Sequence, residues 1–369
     1  MTQTEENKYD VVVIGGGQAG LSVGFYLRRA NLSYVILDAQ AEPGGAWQKA
    51  WKSLRLFSPA QWSSLPGWLM PGGGTDKYPT RDEVLSYLRQ YEERYKLPVM
   101  RPVTVNAVRR SAENLIVETT SGEFSAKAIA GATGNWQKPF IPDYKGRGEF
   151  SGVQIHSANY ESPEAFAGKR VLVVGGANSG AQIMSEVSPV ADATWVTLEE
   201  PQFLPDDVDG RVLFDAASER YRALTAASAS VAGGAHSGSP ETAAPKSRDL
   251  LGSIVVVEPV REARDGGRLV SRRPFERFTE TGVIWDDGEA ERIDAVIWAT
   301  GFQPALDFLR PLGVVTENNQ VEVNGTRSVK EPRLWLVGYG NWTGFASATI
   351  IGVGRTARRT VEEISTLLI

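Results

Sequence analysis

The chain has 369 residues, 42% of them hydrophobic, a formal net charge of -5, two histidines and zero cysteines. That apolar share over this length is enough for two buried cores and places the chain among globular proteins of one to three domains. Zero cysteines excludes thiolate nucleophiles, dithiol relays, zinc ribbons and iron-sulfur clusters, and His156 and His236 alone give few candidates for a histidine-rich metal site or a serine-histidine hydrolase, so no metal is expected. The acidic balance gives no basic surface for a phosphate backbone, and no nucleic-acid partner is expected.

The start, "MTQTEENKYD", is polar rather than a signal peptide, and no later apolar run approaches the roughly 20 residues that cross a membrane. The expectation is a cytoplasmic enzyme without a membrane partner, whose chemistry falls to a bound cofactor.

The first clear element is "YDVVVIGGGQAGLSVGFYLRRANLSYVILDAQ": a short buried strand, a glycine turn, an amphipathic helix and a second strand. Gly15, Gly17 and Gly20 satisfy G-x-G-x-x-G, for a tight turn, close approach of a pyrophosphate and close helix-to-strand packing. Ala19, Val23, Tyr26, Leu27 and Ala30 recur at helical spacing, and the next strand ends in Asp38, placed to accept from an adenosine ribose.

A second copy begins at Lys169, in "KRVLVVGGANSGAQIMSEVSPVADATWVTLEE". Aligned on the glycines, Gly175, Ala177 and Gly180 stand against Gly15, Gly17 and Gly20, and the strand Trp195 to Glu199 against Tyr34 to Asp38, with a one-residue difference in length. Ala177 departs from the middle glycine and still permits close approach. Two dinucleotide folds in one chain point to two dinucleotides, one held and one exchanged, and FAD with a nicotinamide is the natural pair.

Two further stretches carry a resemblance. "AEPGGAWQKAWKSLRLFSPAQW" has Gly44, Gly45 and Trp47 in P-G-G-x-W, and "FSGVQIHSANY" has Phe150, Gly152, His156 and Tyr160 in F-x-G-x-x-x-H-x-x-x-Y. With the links "AIAGATGNW" at Thr133 and Gly134 and "AVIWATGF" at Thr300 and Gly301, the chain resembles the flavin-containing monooxygenases from about Tyr9 to its C-terminus. It looks most like the small bacterial members that accept NADH as well as NADPH. Glu161 follows the fingerprint where Lys or Arg is usual, and Phe57 stands where the family often has an asparagine beside the flavin.

The resemblance implies an α/β fold with two Rossmann-like dinucleotide-binding domains, the nicotinamide domain (166–299) inserted in the FAD domain (1–165 and 300–369). The breaker-rich stretch 223–249, which holds His236, reads as a surface loop. Asp206 to Asp209 read as capping and solvation before a helix, and the final helix is expected to point its N-terminus at the flavin.

FAD is expected against Gly15, Gly17, Gln18, Ala19, Gly20 and Asp38, then Gly45, Ala46, Trp47, Phe57, Ser58, Thr133, Gly134 and Asn341. The nicotinamide is expected against Gly175, Ala177, Asn178, Ser179, Gly180, Leu198, Glu199, Thr300 and Gly301. Trp47, Trp51, Phe57, Trp62 and Trp68 are candidates for an apolar wall, with Phe57 at the flavin face.

In the implied reaction, NADH or NADPH reduces the flavin, oxygen gives a C4a-hydroperoxyflavin, and a thioether or amine attacks it, with Baeyer-Villiger oxidation of ketones as a side activity. No side chain needs a catalytic role, and His156 reads as orienting a turn between domains. The partners are then a small-molecule substrate and oxygen, and homodimers are common in the family. Leu198 and Glu199 offer no cation for a 2'-phosphate, so NADH is expected to be used well. An NAD(P)H oxidase or quinone reductase, and a flavin-binding redox sensor without turnover, stay open as alternatives.

Overall fold

The computed structural model describes residues 7–72, 78–211 and 253–368. His236, the stretch 223–249 and most of the helix expected after Asp209 lie outside the described residues. Two compact units emerge: the first from Met1–Gln48, Pro59–Lys138 and Gln303–Ile369, the second from Lys49–Ser58 and Pro139–Phe302.

In the first unit, β1 (Lys8–Ile14) buries the whole run Val11 to Ile14, as a strand covered on both faces must. It pairs in parallel with β2 (Tyr34–Leu37) on one side and β6 (Gly122–Gly131) on the other. Outward from β2 lies β3 (Val99–Met100). Outward from β6 lie β17 (Leu334–Leu336), β16 (Arg327–Ser328) and β15 (Val323–Asn324), giving the order β15-β16-β17-β6-β1-β2-β3. The antiparallel strands β4 (Val105–Arg110) and β5 (Leu115–Thr119) attach to β6.

Helix α1 (Gln18–Ala30) follows β1 directly, buries Leu21, Val23, Phe25 and Leu27, and stops at Asn31, which takes the left-handed conformation that Asn tolerates. The last helix, α5 (Ile350–Leu368), packs along α1. Val13 and Ile36 face α1, whereas Val12, Ile14, Leu37, Phe124, Ile129 and Leu336 belong to a core that they share with Val108 of β4 and Val117 of β5.

The second unit holds five parallel strands: β7 (Val153–His156), β8 (Arg170–Val174), β9 (Asp192–Val196), β10 (Ser271–Arg272) and β14 (Ala295–Trp298), in the order β10-β9-β8-β14-β7. Helix α3 (Asn178–Val187) follows β8 as α1 follows β1, and α4 (Glu258–Asp265) packs on α3. An antiparallel sheet of β11 (Arg277–Thr279), β12 (Gly282–Ile284) and β13 (Ala290–Arg292) adds Phe278 and Val283 to a core with Leu172, Val196 and Trp298.

Both units therefore have the Rossmann-like parallel order expected. The boundary at residue 165 needs correction, because β7 is an edge strand of the second sheet, with Ile155 opposite Ile297 of β14. Residues 49–58 also belong to the second unit. Among the described residues no helix is long and apolar enough to cross a membrane.

Candidate cofactor and active site

The two glycine turns repeat one another hydrogen bond by hydrogen bond. Gly15 N donates to Leu37 O (2.8 Å) and Gly175 N to Val196 O (2.9 Å), while Ala132 N donates to Ile14 O and Ala299 N to Val174 O, both at 2.7 Å. Gly15 and Gly175 have φ of 112° and 133°, and a Cβ on either would meet a carbonyl oxygen at 2.4 or 2.2 Å. Only glycine serves there.

The helix starts show what the turns can hold. Helix α2 (Arg81–Tyr95) closes its own N-terminus with a capping box, Thr80 accepting from Glu83 N and Glu83 accepting from Thr80 N. Neither α1 nor α3 has a side-chain cap or an acidic residue in its first turn. Their unpaired N–H groups and positive dipole ends suit an anionic pyrophosphate. Gly17 leaves that approach open, since a Cβ there would find its nearest neighbour, Gly45 Cα, at 3.8 Å. Ala177 takes nearly the same conformation as Gly17, with φ of -103° against -79°, so its methyl group is unstrained.

At the end of β2, Asp38 is 4% exposed and packs against Gly16, where a Cβ would lie 2.5 Å from its Oδ2. It accepts from Gln40 N at 3.2 Å and from Arg101 at 3.3 Å, and Arg101 is fixed in turn by Glu92 at 2.6 and 2.8 Å. Burial pushes the Asp38 carboxyl above its ordinary value, although the Gln40 bond and Arg101 pull it down. Acceptor capacity remains on Oδ1 for a ribose hydroxyl.

The corresponding position in the second unit is Thr197, which corrects the alignment on Glu199. Val174 pairs with Val196 as Ile14 pairs with Leu37, and Thr197 packs against Gly176 as Asp38 packs against Gly16. The second repeat is one residue shorter to its strand end, not one longer. Thr197 is 2% exposed and its hydroxyl has no hydrogen-bond partner. Leu198 is 80% exposed and Glu199 follows it in the exposed turn.

Sequence reasoning also missed Trp195, whose indole nitrogen donates to Gly175 O at 2.9 Å and fixes the turn from below. Its only sequence signal was a large aromatic inside a strand of smaller residues. The nearby Arg272 turns away from the strand end: its guanidinium stacks on Trp285 at 3.7 Å and pairs with Glu289 at 3.0 Å.

Several expected cofactor contacts have side chains committed to the scaffold. Gln18 donates to Ala348 O (2.6 Å) and accepts from Trp47 Nε1 (3.0 Å), tying α1, the 44–47 turn and the segment before α5 together. The Thr133 hydroxyl donates to Ala305 O (2.8 Å) and accepts from Tyr339 (2.7 Å). Asn178 accepts from Val255 N (2.9 Å), and Thr300 donates to Phe140 O. Gly45 touches the first turn directly, because a Cβ on it would lie 2.8 Å from Gly17 Cα. Ala19 and Gly20 are buried at the start of α1, Gly180 at that of α3; Ala46 and Asn341 are exposed.

Phe57 and Ser58, expected at the flavin, lie in the second unit, where Gly210 N donates to Phe57 O at 2.9 Å and Ser58 packs against Gly210. Trp51 is in the same segment, with its ring edge-on to Tyr160 at 5.9 Å, whereas Trp47, Trp62 and Trp68 are in the first unit. The five aromatics do not form one wall within either unit. Tyr160 donates to Glu186 (2.9 Å), which also accepts from Ser53 (2.7 Å).

His156 has both ring nitrogens engaged. Nδ1 accepts from Ala158 N at 3.1 Å, and the Nε2 proton goes to Gly301 O at 3.0 Å, which fixes the neutral tautomer. It is 3% exposed, and burial pulls its pKa below 6.5 against the raising effect of the Gly301 bond. Of the Asp206 to Asp209 cluster, Asp206 pairs with Arg264 at the surface (2.7 Å) and Asp209 accepts from Arg211 N (2.8 Å) as a local cap.

Two dinucleotide turns on parallel sheets, without a cysteine to relay electrons, define an NAD(P)H-dependent flavoprotein oxidoreductase of the two-dinucleotide class. The pyridine nucleotide-disulphide oxidoreductase family matches residues 12–209. The flavin-containing monooxygenase from Stenotrophomonas maltophilia is 49% identical, covers 98% of this chain and 100% of its own, and superposes with a TM-score of 0.87. The uncharacterized oxidoreductase CzcO of Bacillus subtilis (strain 168) is 28% identical over 97% of this chain and 99% of its own. Indole-3-pyruvate monooxygenase YUCCA4 of Oryza sativa subsp. japonica is 26% identical over 96% and 86%. The chain belongs to the flavin-containing monooxygenases, within the pyridine nucleotide-disulphide oxidoreductase family.

Proposed function

We propose that the first turn, with Gly15, Gly17, Gly20 and Asp38, holds FAD, and that the second, with Gly175, Ala177, Gly180 and Thr197, takes the exchanged nicotinamide. The observation that carries this reading is the difference between two otherwise equivalent turns. Asp38 sits in a fixed Arg101–Glu92 network suited to a resident group. The second strand runs out into exposed Leu198, Glu199 and Glu200, suited to a dinucleotide that comes and goes.

The reaction proposed is NADH, a proton, oxygen and a thioether giving NAD+, water and a sulfoxide. Two electrons from NADH reduce one oxygen atom to water, and the other atom bonds to sulfur; amines are alternative acceptors and ketones a secondary one. FAD supplies hydride acceptance and oxygen activation when bound. The protein's residues bind and orient: the uncapped starts of α1 and α3 hold pyrophosphates, Asp38 and Thr197 meet ribose hydroxyls, and Gln18 braces Trp47. His156, with both nitrogens engaged, moves no proton.

NADH is proposed as the better coenzyme. A 2'-phosphate beside Thr197 would meet Glu199 and Glu200, while Arg272 is held by the acids of the β12–β13 hairpin. Aerobic turnover of the purified yellow protein with NADH and methyl tolyl sulfide tests the function. A monooxygenase forms sulfoxide; peroxide alone would mean an oxidase, and no oxygen consumption a sensor.

A further inference from the structure

The order β2-β1-β6 places a topological switch point between β1 and β6, where a ligand lies outside the carboxyl ends of the strands. Asp38, at the end of β2, takes the adenosine flank. A dinucleotide crossing the Gly15–Gly17 turn therefore brings its other half toward the end of β6.

The loop after β6 runs through Thr133, Gly134 and Asn135. Thr133, the residue that the A-T-G link singles out, has its hydroxyl engaged by Ala305 and Tyr339. The carbonyls of Gly134 and Asn135 accept from Ala305 N (3.1 Å) and Lys138 N (2.9 Å). The Asn135 side-chain oxygen, by contrast, is buried and has no hydrogen-bond partner.

A buried acceptor left unpaired is costly and rare. Among the described residues four buried side-chain polar atoms lack a partner, one of them the donor Trp51 Nε1, and two, on Asn135 and Thr197, lie just beyond the carboxyl ends of parallel strands that flank a glycine turn. Phosphate oxygens cannot satisfy an acceptor. The flavin half of FAD can, through ribityl hydroxyls or a ring N–H.

We infer that Asn135 positions the flavin half of FAD, its amide oxygen accepting a hydrogen bond from a ribityl hydroxyl or ring N–H. This rests on the reading of the first turn as the FAD turn. Asn135 is a positioning residue; the oxygen chemistry stays with the flavin.

The test uses flavin-stripped protein reconstituted with FAD, reading FAD affinity, flavin absorbance and the thermal midpoint with and without FAD. N135A should bind FAD about tenfold more weakly, with an unchanged or higher midpoint in the stripped form, because no protein bond is lost. N135D, which keeps an acceptor oxygen in place, should bind FAD more tightly than N135A.

Wild-type affinity in N135A overturns the role of Asn135. So does a stripped N135A protein that is less stable than stripped wild type, since that marks a protein partner. N135D binding FAD more weakly than N135A also overturns it, since the amide would then face phosphate. A stripped wild-type protein that takes up no FAD would overturn the FAD reading as well, an outcome the wild-type control separates from the others.

Discussion

Replacing Gly17 by alanine separates cofactor binding from folding. Gly17 already has a φ of -79°, which alanine adopts freely, and the new methyl would meet nothing closer than Gly45 Cα at 3.8 Å. Losing glycine at the N-cap costs roughly 1 kcal/mol or less, and the stiffer unfolded chain returns about 0.4–1 kcal/mol, so the flavin-stripped protein should keep its stability within about 1 kcal/mol.

The methyl nevertheless stands on the face where a pyrophosphate must approach the α1 N–H groups; Ala177 carries the same methyl on the second turn, which is proposed to hold its dinucleotide less tightly, in exchange. FAD affinity should fall at least about tenfold, or about 1.4 kcal/mol. Gly20→Ala is the contrasting control: its Cβ would lie 1.8 Å from Gly15 O, α1 would have to move off the turn, and the fold itself should lose about 1–3 kcal/mol. Titration of stripped G17A with FAD, beside thermal unfolding of the stripped form, is the assay. Wild-type FAD affinity in a normally folded G17A protein would refute the placement of the pyrophosphate.

Two further predictions follow from the second unit. Glu199→Arg should shift the ratio of kcat/KM toward NADPH by about tenfold, measured by steady-state kinetics with both coenzymes; an unchanged ratio would remove Glu199 from the 2'-phosphate site. His156 has a folded pKa below its unfolded 6.5, so as pH falls through about 6.5 the unfolded chain takes up the proton first and stability drops toward the folded pKa. Thermal midpoints between about pH 5 and 7 should therefore fall more steeply for wild type than for His156→Gln, and parallel slopes would contradict the buried neutral imidazole.

The strand-turn-helix units were legible because the apolar run Val11 to Ile14, the glycine spacing and the helical period are all local. The register at β9 was not, because alignment on a carboxylate assumed that the acid marks the strand end. The backbone bond from Gly175 N to Val196 O sets that end two residues earlier, at Thr197. Segment 49–58 read as part of the first unit by chain continuity, but its partners, Tyr160, Glu186 and Gly210, are more than a hundred residues away. Thr133 was legible as a motif residue and Asn135 was not, since which of them keeps a free polar atom depends on Tyr339 and Ala305 folding back onto the loop.

In the proposed reaction, electrons from a nicotinamide on the second turn reach oxygen through a flavin on the first, leaving one oxygen atom on the substrate. Turnover of the flavin-loaded enzyme with NADH and methyl tolyl sulfide under heavy-isotope oxygen gas follows that atom. The expected product is sulfoxide carrying one heavy oxygen atom, formed in step with NADH consumed. Unlabelled sulfoxide, or NADH consumption that yields labelled peroxide and leaves the thioether unchanged, would contradict it.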